Sequence, residues 1–278
     1  MTSHLDGKTV VVTGAASGFG ALVAQRCANR GARVVGADVQ EQALAAVIEQ
    51  INAAGGQALA VTTDVASSSA MQALCRAAVA QFDQVDVWIN NAGVMPLAFF
   101  SDHEQALDAW SRCIDINVKG VMHGIAACYD QMMLQGRGHV VNLSSIYGNH
   151  PVAGAGVYGA TKAAVNFLSE SLRVESQGKI KVTIVKPTGV PGTALGAGVI
   201  NPEAIVGILG QNAPRYLQMM QSHMAGELPA DYSDSDSIEY YALAPEHLAD
   251  QVVYAIDQPW GVVIGDVTVR AAGDGYIL

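Results

Sequence analysis

Short runs rich in Val, Ile and Ala alternate along the chain with stretches in which apolar residues recur at helical spacing. Seven such runs predict strands, at 8–13, 33–38, 57–62, 85–90, 138–145, 181–186 and 262–269. The first, Lys8-Thr-Val-Val-Val-Thr13, is a short β-branched run, so it reads as a strand buried on both faces. Helices are predicted after the first strand as far as Gly31, over 41–54, from a Ser67 cap to about Phe82, over about 102–134, from Tyr158 onward, and from Pro245. Gly31 and the Gly55-Gly56 pair suit helix ends. Strands alternating with helices imply right-handed βαβ units on a parallel sheet, an α/β doubly wound fold with helices on both faces. Ligands of such sheets bind at the strands' C-terminal ends, where the strand order reverses.

The alternation breaks at 190–244. That stretch holds Pro, Gly, a cluster of Tyr216, Leu217, Met219, Met220 and Met224, and an acidic run at 231–239. It follows the sixth strand, so it is expected to form a lid and a specificity wall of one domain spanning 1–278. Half of the 278 residues are hydrophobic and 29 are Gly, enough for one sizeable core. A net charge of −10 argues against a nucleic-acid partner. An anionic ligand must then be held locally, by backbone N–H groups. Cys27, Cys75, Cys113 and Cys128 lack metal-ligand spacing and read as buried apolar residues in a reducing compartment, with no metal expected. With no signal-like start and no run of 18 apolar residues, a soluble cytoplasmic protein without a membrane span is expected.

Chemistry gathers at the predicted strand ends. Thr13-Gly-Ala-Ala-Ser-Gly-Phe-Gly20 joins the first strand to the first helix, a turn suited to cradling phosphate with Gly14, Gly18 and Gly20. Asp38 ends the second strand, 24 residues after Gly14. A carboxylate there accepts both hydroxyls of an adenosine ribose and repels a 2′-phosphate, which favours NAD over NADP. Asp64 and Asn91 fall at further strand ends, and Asn117 lies inside a helical pattern. Tyr158 and Lys162, four apart, share one helix face. A cation held close favours a phenolate and draws the tyrosine pKa toward neutrality, as a proton shuttle needs.

With these positions in order, the chain resembles the short-chain dehydrogenase/reductase family, over 8–188 and again over 245–269. The resemblance rests on Thr-Gly-x-x-x-Gly-x-Gly, Asp64-Val65, Asn90-Asn91-Ala92-Gly93, Asn117, Ser145 and Tyr158/Lys162. It implies a Rossmann-type seven-stranded parallel sheet of order 3-2-1-4-5-6-7. It implies that the turn of Gly14, Ser17, Gly18, Phe19 and Gly20 wraps a pyrophosphate and that Asp38 holds the ribose. Asp64 and Val65 would border the adenine, and Asn91, Ala92 and Gly93 would lie beside the cofactor. Ser145, 13 before Tyr158, would hold the substrate oxygen, while Ser144 would face the cofactor or the sheet. Asn117 would fix a water that relays protons from Lys162. Pro187, Val190 and Thr193 would border the nicotinamide, although Pro187-Thr188-Gly189 replaces the family's Pro-Gly and Thr193 comes one place late, with Gly192 where it belongs. Homodimers or homotetramers would form through the Asn117 and Tyr158 helices, the last strand and the apolar tail 276–278.

The expected activity is NAD(H)-dependent interconversion of a small-molecule secondary alcohol and a ketone. The insert is short of basic residues, so the substrate should be mainly apolar and uncharged. His150 in the loop before Tyr158, together with Met219 and Met220, would line its pocket. Rival readings are an NADPH-dependent ketoreductase and a catalytically silent NAD(H)-binding sensor or scaffold. A nucleotide-sugar epimerase would need a larger substrate domain.

Overall fold

A computed structural model of the chain describes residues 3–190 and 193–276. Its centre is a seven-stranded sheet of order β3-β2-β1-β4-β5-β6-β7, parallel at every pairing. The strands are β1 (Thr9–Thr13), β2 (Arg33–Asp38), β3 (Gln57–Thr62), β4 (Val87–Asn90), β5 (Gly138–Leu143), β6 (Ile180–Pro187) and β7 (Asp266–Val269). Val10 of β1 lies beside Val34 of β2 and Val87 of β4, so β-branched side chains meet across the sheet's centre. Every residue of β1, β4 and β5 is buried, as expected of strands covered on both faces.

Two apolar layers supply that cover. On one face α1 (Gly18–Ala28), α2 (Glu41–Ala53) and α9 (Pro245–Ile256) bury Val23, Leu44, Ile48, Leu248 and Val252 against Val10, Val34 and Ile89. On the other, α3 (Ser68–Phe82) and α5 (Gly120–Gln135) bury Met71, Leu74, Phe82, Cys128 and Met132 against Val11, Val35 and Trp88. The Ser67 hydroxyl accepts the Ala70 N–H at 3.3 Å and caps α3 as expected. All four cysteines are free and buried.

A line of buried amides inside this core is paired. An unpaired buried amide costs about 1–3 kcal/mol. Trp88 donates to Asn90 Oδ1 (2.8 Å), Asn90 to Asn142 Oδ1 (2.8 Å), and Asn142 to Ser169 Oγ (2.8 Å). That line ties β4, β5 and α6 (Gly156–Glu175) together beneath the strand ends.

Several boundaries differ from the hydrophobic pattern. β4 starts at Val87, because Asp86 turns its carboxylate back to the Thr9 N–H at 2.9 Å. β5 stops at Leu143, because Ser145 opens a 3₁₀ turn, Ile146–Gly148. β7 starts only at Asp266, since the 262–264 stretch is held by turns and by Lys181 Nζ on the Val262 carbonyl at 2.8 Å. The single helix expected over 102–134 is two, α4 (His103–Ile114) and α5, joined by a π turn, Asp115–Lys119. The insert folds as 3₁₀ turns Ala194–Gly198, Pro202–Ile208 and Gly210–Asn212, then α7 (Ala213–Ala225) and the short α8 (Ala230–Ser233). Among the described residues no helix is long and apolar enough to cross a membrane.

Candidate active site

The β1–α1 turn is built around glycines that the backbone requires. Gly14 and Gly18 have φ of +69° and +51°, in the left-handed region that other residues avoid. A Cβ at Gly20 would stand 2.1 Å from the Gly14 carbonyl, so the turn closes only without one. Ser17 precedes α1 with no side-chain cap bond. The first N–H groups of α1 therefore keep their capacity for an anion at the helix's positive end. Thr13 Oγ1 accepts the N–H of both Asn91 (3.0 Å) and Ala92 (3.1 Å), while Asn91 Nδ2 donates to the Thr13 and Gly14 carbonyls at 2.8 and 3.2 Å. Asn91 is thus a strut that joins the ends of β1 and β4. The sequence alone did not single out Thr13 as its partner.

Asp38 is half-buried at the rim of this turn. Its Oδ2 accepts the Ala16 N–H at 3.1 Å and Oδ1 the Gln40 N–H at 3.0 Å. Those two bonds fix the carboxylate and leave about two lone-pair positions for a diol. Asp64 is exposed and accepts the Ala66 N–H at 2.9 Å, and Val65 beside it is buried against Gly120. Pro187 closes β6, and the Thr193 hydroxyl donates to the Val190 carbonyl at 3.2 Å. A Cβ at Gly18 would lie 3.9 Å from Thr193 Cβ, so the one-place shift still brings Thr193 over the glycine turn. Gly192 lies outside the described residues. The cradle, the fixed carboxylate and the covering Thr193 fit a dinucleotide.

Next to this cleft, α6 carries Tyr158 and Lys162, both buried. Lys162 Nζ donates to the Leu143 carbonyl at 2.7 Å and lies 5.7 Å from the centre of the Tyr158 ring. The Ser145 hydroxyl, which accepts the Tyr147 N–H at 3.2 Å, lies beside the Tyr158 phenol. Burial pushes that phenol above the ordinary tyrosine value, and the Ser145 side chain draws it back down. Desolvation, not the neighbouring cation, sets the direction of the shift, which corrects the simple electrostatic argument. The same burial lowers Lys162 to about 8.

Asn117 is buried, not solvent-facing, and sits in the π turn. Its Oδ1 accepts the Val94 N–H (2.9 Å), and its Nδ2 donates to the Val94 carbonyl (2.9 Å) and Thr161 Oγ1 (3.2 Å). Thr161 Oγ1 in turn donates to the Tyr158 carbonyl at 2.7 Å. A Cβ at Gly93 would stand 3.3 Å from Asn117 Oδ1 and 3.7 Å from Lys162 Nζ, so Gly93 is where these two groups approach each other. Thr161 and Cys113, whose sulfur lies 3.3 Å from Asn117 Nδ2, were not foreseen. Only their helical spacing from Tyr158 and Asn117 could have signalled them.

One expectation is corrected. Ser144 turns to α6, where its hydroxyl donates to the Lys162 carbonyl at 3.1 Å, and so faces neither cofactor nor sheet. Met219, half-buried, and Met220, exposed, follow Tyr216 by one turn of α7 and are absent from the apolar cluster around Tyr158. α7 meets that cluster through Ala213 and Tyr216, one turn apart at its first residues. His150 is exposed beyond the 3₁₀ turn. The cluster itself gathers Leu97, Ile146, Tyr147, Tyr158, Ile208 and Leu209, with Tyr216 and Tyr276 against it. Tyr147 stacks edge-on against Tyr158 with ring centres 5.6 Å apart. Among the described residues no three His, Cys, Asp or Glu side chains gather as a metal site would require.

The family model for short chain dehydrogenases matches residues 8–203. The chain belongs to that family. It is 34% identical over 191 residues to a 2,5-dichloro-2,5-cyclohexadiene-1,4-diol dehydrogenase of Sphingobium indicum, covering 68% of this chain and 76% of that one. Among solved structures it resembles a Burkholderia phymatum short-chain dehydrogenase/reductase in complex with NAD (TM-score 0.74, 30% identity, 95% of this chain and 89% of that one). It also resembles a metagenomic short-chain oxidoreductase in complex with NADP (TM-score 0.72, 28% identity, 96% and 98%). As a member of this family the chain is an oxidoreductase with a Rossmann-type fold and a nucleotide site.

The depressed Lys162 pKa has a signed consequence for stability. Between about pH 8 and the ordinary lysine range the unfolded chain binds a proton that the folded chain has lost. Stability contributed by this group therefore rises with pH across that window and is smallest below it. In chemical denaturation, Lys162→Met should be more stable than the parent at neutral pH, with the gap narrowing as pH rises past 8. Parallel pH profiles for the two proteins would show that Lys162 titrates as an ordinary lysine.

Proposed function

We propose that this dehydrogenase interconverts a secondary alcohol and a ketone with NAD(H), using Tyr158 as general acid and base. The observation that carries this reading is the Tyr158 phenol, buried with Lys162 and Ser145 beside it at the mouth of the nucleotide cleft. Bound NAD supplies the hydride acceptor for alcohol oxidation. Ser145 holds the substrate oxygen and steadies it as its charge changes. Tyr158 as phenolate takes the alcohol proton; as phenol it donates that proton back to a ketone. Burial keeps it in the phenol form at neutral pH, so the oxidative direction gains as pH rises. Lys162 stays cationic below about pH 8 and supports the phenolate. Asn117 uses its N–H groups to hold Val94 and Thr161, and Oδ1 keeps a lone pair for the water that would relay protons.

Asp38 supports NAD over NADP, because its carboxylate is fixed where a 2′-phosphate would meet like charge. The NADP-bound relative keeps the second reading, an NADPH-dependent ketoreductase, worth testing directly. An apolar, uncharged substrate suits a pocket whose walls are Leu97, Ile146, Ile208, Leu209 and tyrosines. The free, buried cysteines support a reducing, cytoplasmic setting. Exposed Phe100 and Ile114 border an apolar hollow with Val157 and Ala160, and Phe167 and Val174 lie open on α6. Such faces support a homodimer or homotetramer built on α4 and α6. Residues 277–278, part of the tail expected at that contact, lie outside the described residues.

Tyr158→Phe should lower turnover about 10²–10⁴-fold while titrations show NAD binding intact; near-normal turnover would remove Tyr158 from the chemistry. Asp38→Ala should raise the NADP/NAD ratio of kcat/KM, and an unchanged ratio in paired rate measurements would remove Asp38 from the ribose site. Light scattering should give a dimer or tetramer, and a monomer at working concentrations would dispose of the proposed contact.

A further inference from the structure

The Thr188-Gly189 departure from the family's pattern has a physical partner in the structure. A Cβ at Gly189 would stand 1.8 Å from Tyr276 Oη and 2.5 Å from Tyr276 Cζ. The Tyr276 phenol therefore rests directly on the Gly189 backbone, two residues past the end of β6. A side chain at 189 would expel it. Thr188 is buried one place earlier, its N–H and hydroxyl both directed to the Val269 carbonyl at 3.1 and 3.4 Å. The small residue has moved to the position where the tyrosine is seated.

Tyr276 is also fastened to the lid. Its hydroxyl donates to Tyr216 Oη of α7 at 3.3 Å, with ring centres 5.8 Å apart. Asn212 Nδ2 donates to the Gly275 carbonyl at 3.0 Å, and the Gly273 N–H donates to the Tyr240 carbonyl at 2.8 Å. Arg270 pairs with Asp274 and donates to the Tyr276 carbonyl at 2.9 Å, which rigidifies the segment that presents the ring. Tyr276 packs on the same apolar cluster as Tyr158 and Tyr147. Its burial raises its pKa, with Tyr216 and Tyr147 adding to the rise, so it stays a neutral phenol.

We infer that Tyr276 is a specificity-determining residue: its phenol, seated on Gly189 and tied to Tyr216, closes the far end of the substrate pocket and limits the size of the alcohol admitted. This inference rests on the alcohol–ketone reading above. It assigns the limit to the 270–276 segment and not to the methionines of α7. The hydroxyl serves the lid contact, whereas the ring's bulk sets the length limit, so the two can be separated by mutation.

The test uses the full chain with NAD and a homologous series of secondary alcohols of increasing length, in parallel with amide deuterium exchange. Tyr276→Ala should raise kcat/KM for long alcohols relative to short ones by about 10-fold or more, the worth of a methylene or two of pocket space. It should also speed exchange in α7. Tyr276→Phe should keep the parental length profile, because the ring remains, yet speed exchange in α7 through loss of the Tyr216 bond. A parental length profile in Tyr276→Ala would overturn the inference, as would unchanged exchange in α7. Failure of the parent protein to oxidise any alcohol in the series would instead sink the alcohol–ketone reading, and the exchange comparison would still decide whether Tyr276 holds the lid.

Discussion

A lysine ammonium buried with no carboxylate partner among the described residues is the constraint on which this site depends. Taking such a charge out of water is expensive, and an ion pair would normally offset it. Lys162 has instead the Leu143 carbonyl at 2.7 Å and the face of Tyr158 at 5.7 Å. That choice leaves the cation able to act on a phenol, since a nearby carboxylate would neutralise its field. It also demands precision from the scaffold. Leu143 must be the last residue of β5, α6 must cross the strand end at one height, and position 93 must lack a side chain so that Asn117 can approach. The Asn90–Asn142–Ser169 line holds β4, β5 and α6 at the required spacing.

The same location explains why the nucleotide cleft and the proposed catalytic groups meet. All the strands are parallel, so their C-terminal ends lie along one edge of the sheet. The order reverses between β1 and β4, which parts their following helices and opens a cleft. Thr13 and Asn91 pin that opening from its two sides, and the glycine turn lies across it. Asp38 then hydrogen-bonds the turn at Ala16, so the group proposed to read the ribose also braces the cradle. A substitution at Asp38 acts on both.

Features set by neighbours in the chain were legible in the sequence. The strand runs, the glycine turn, Asp38 at its strand end, the Ser67 cap and the Tyr158/Lys162 spacing each involve a few consecutive residues, and the structure has them where the pattern places them, apart from shortened ends of β4, β5 and β7. Features set by distant contacts were not. The π turn at Asp115–Lys119 inserts one residue into an otherwise unbroken helical pattern, and only the Val94 and Thr161 partners of Asn117 justify it. The methionines of α7 looked like pocket residues because they are apolar at helical spacing. Which stripe of a lid helix faces inward is settled by what it covers, and here Ala213 and Tyr216 do the covering.

The shifted glycine at 189 lies between these two cases. It was visible as a departure from the family's pattern, yet it could not be interpreted from the strand end alone. Its partner Tyr276 is 87 residues further on and reaches it only after α9 and β7 have returned the chain to the same edge. A local anomaly in a motif is therefore best read as one half of a contact. The physical question is which distant side chain needs the space, and a glycine that has moved by one place records where that side chain sits.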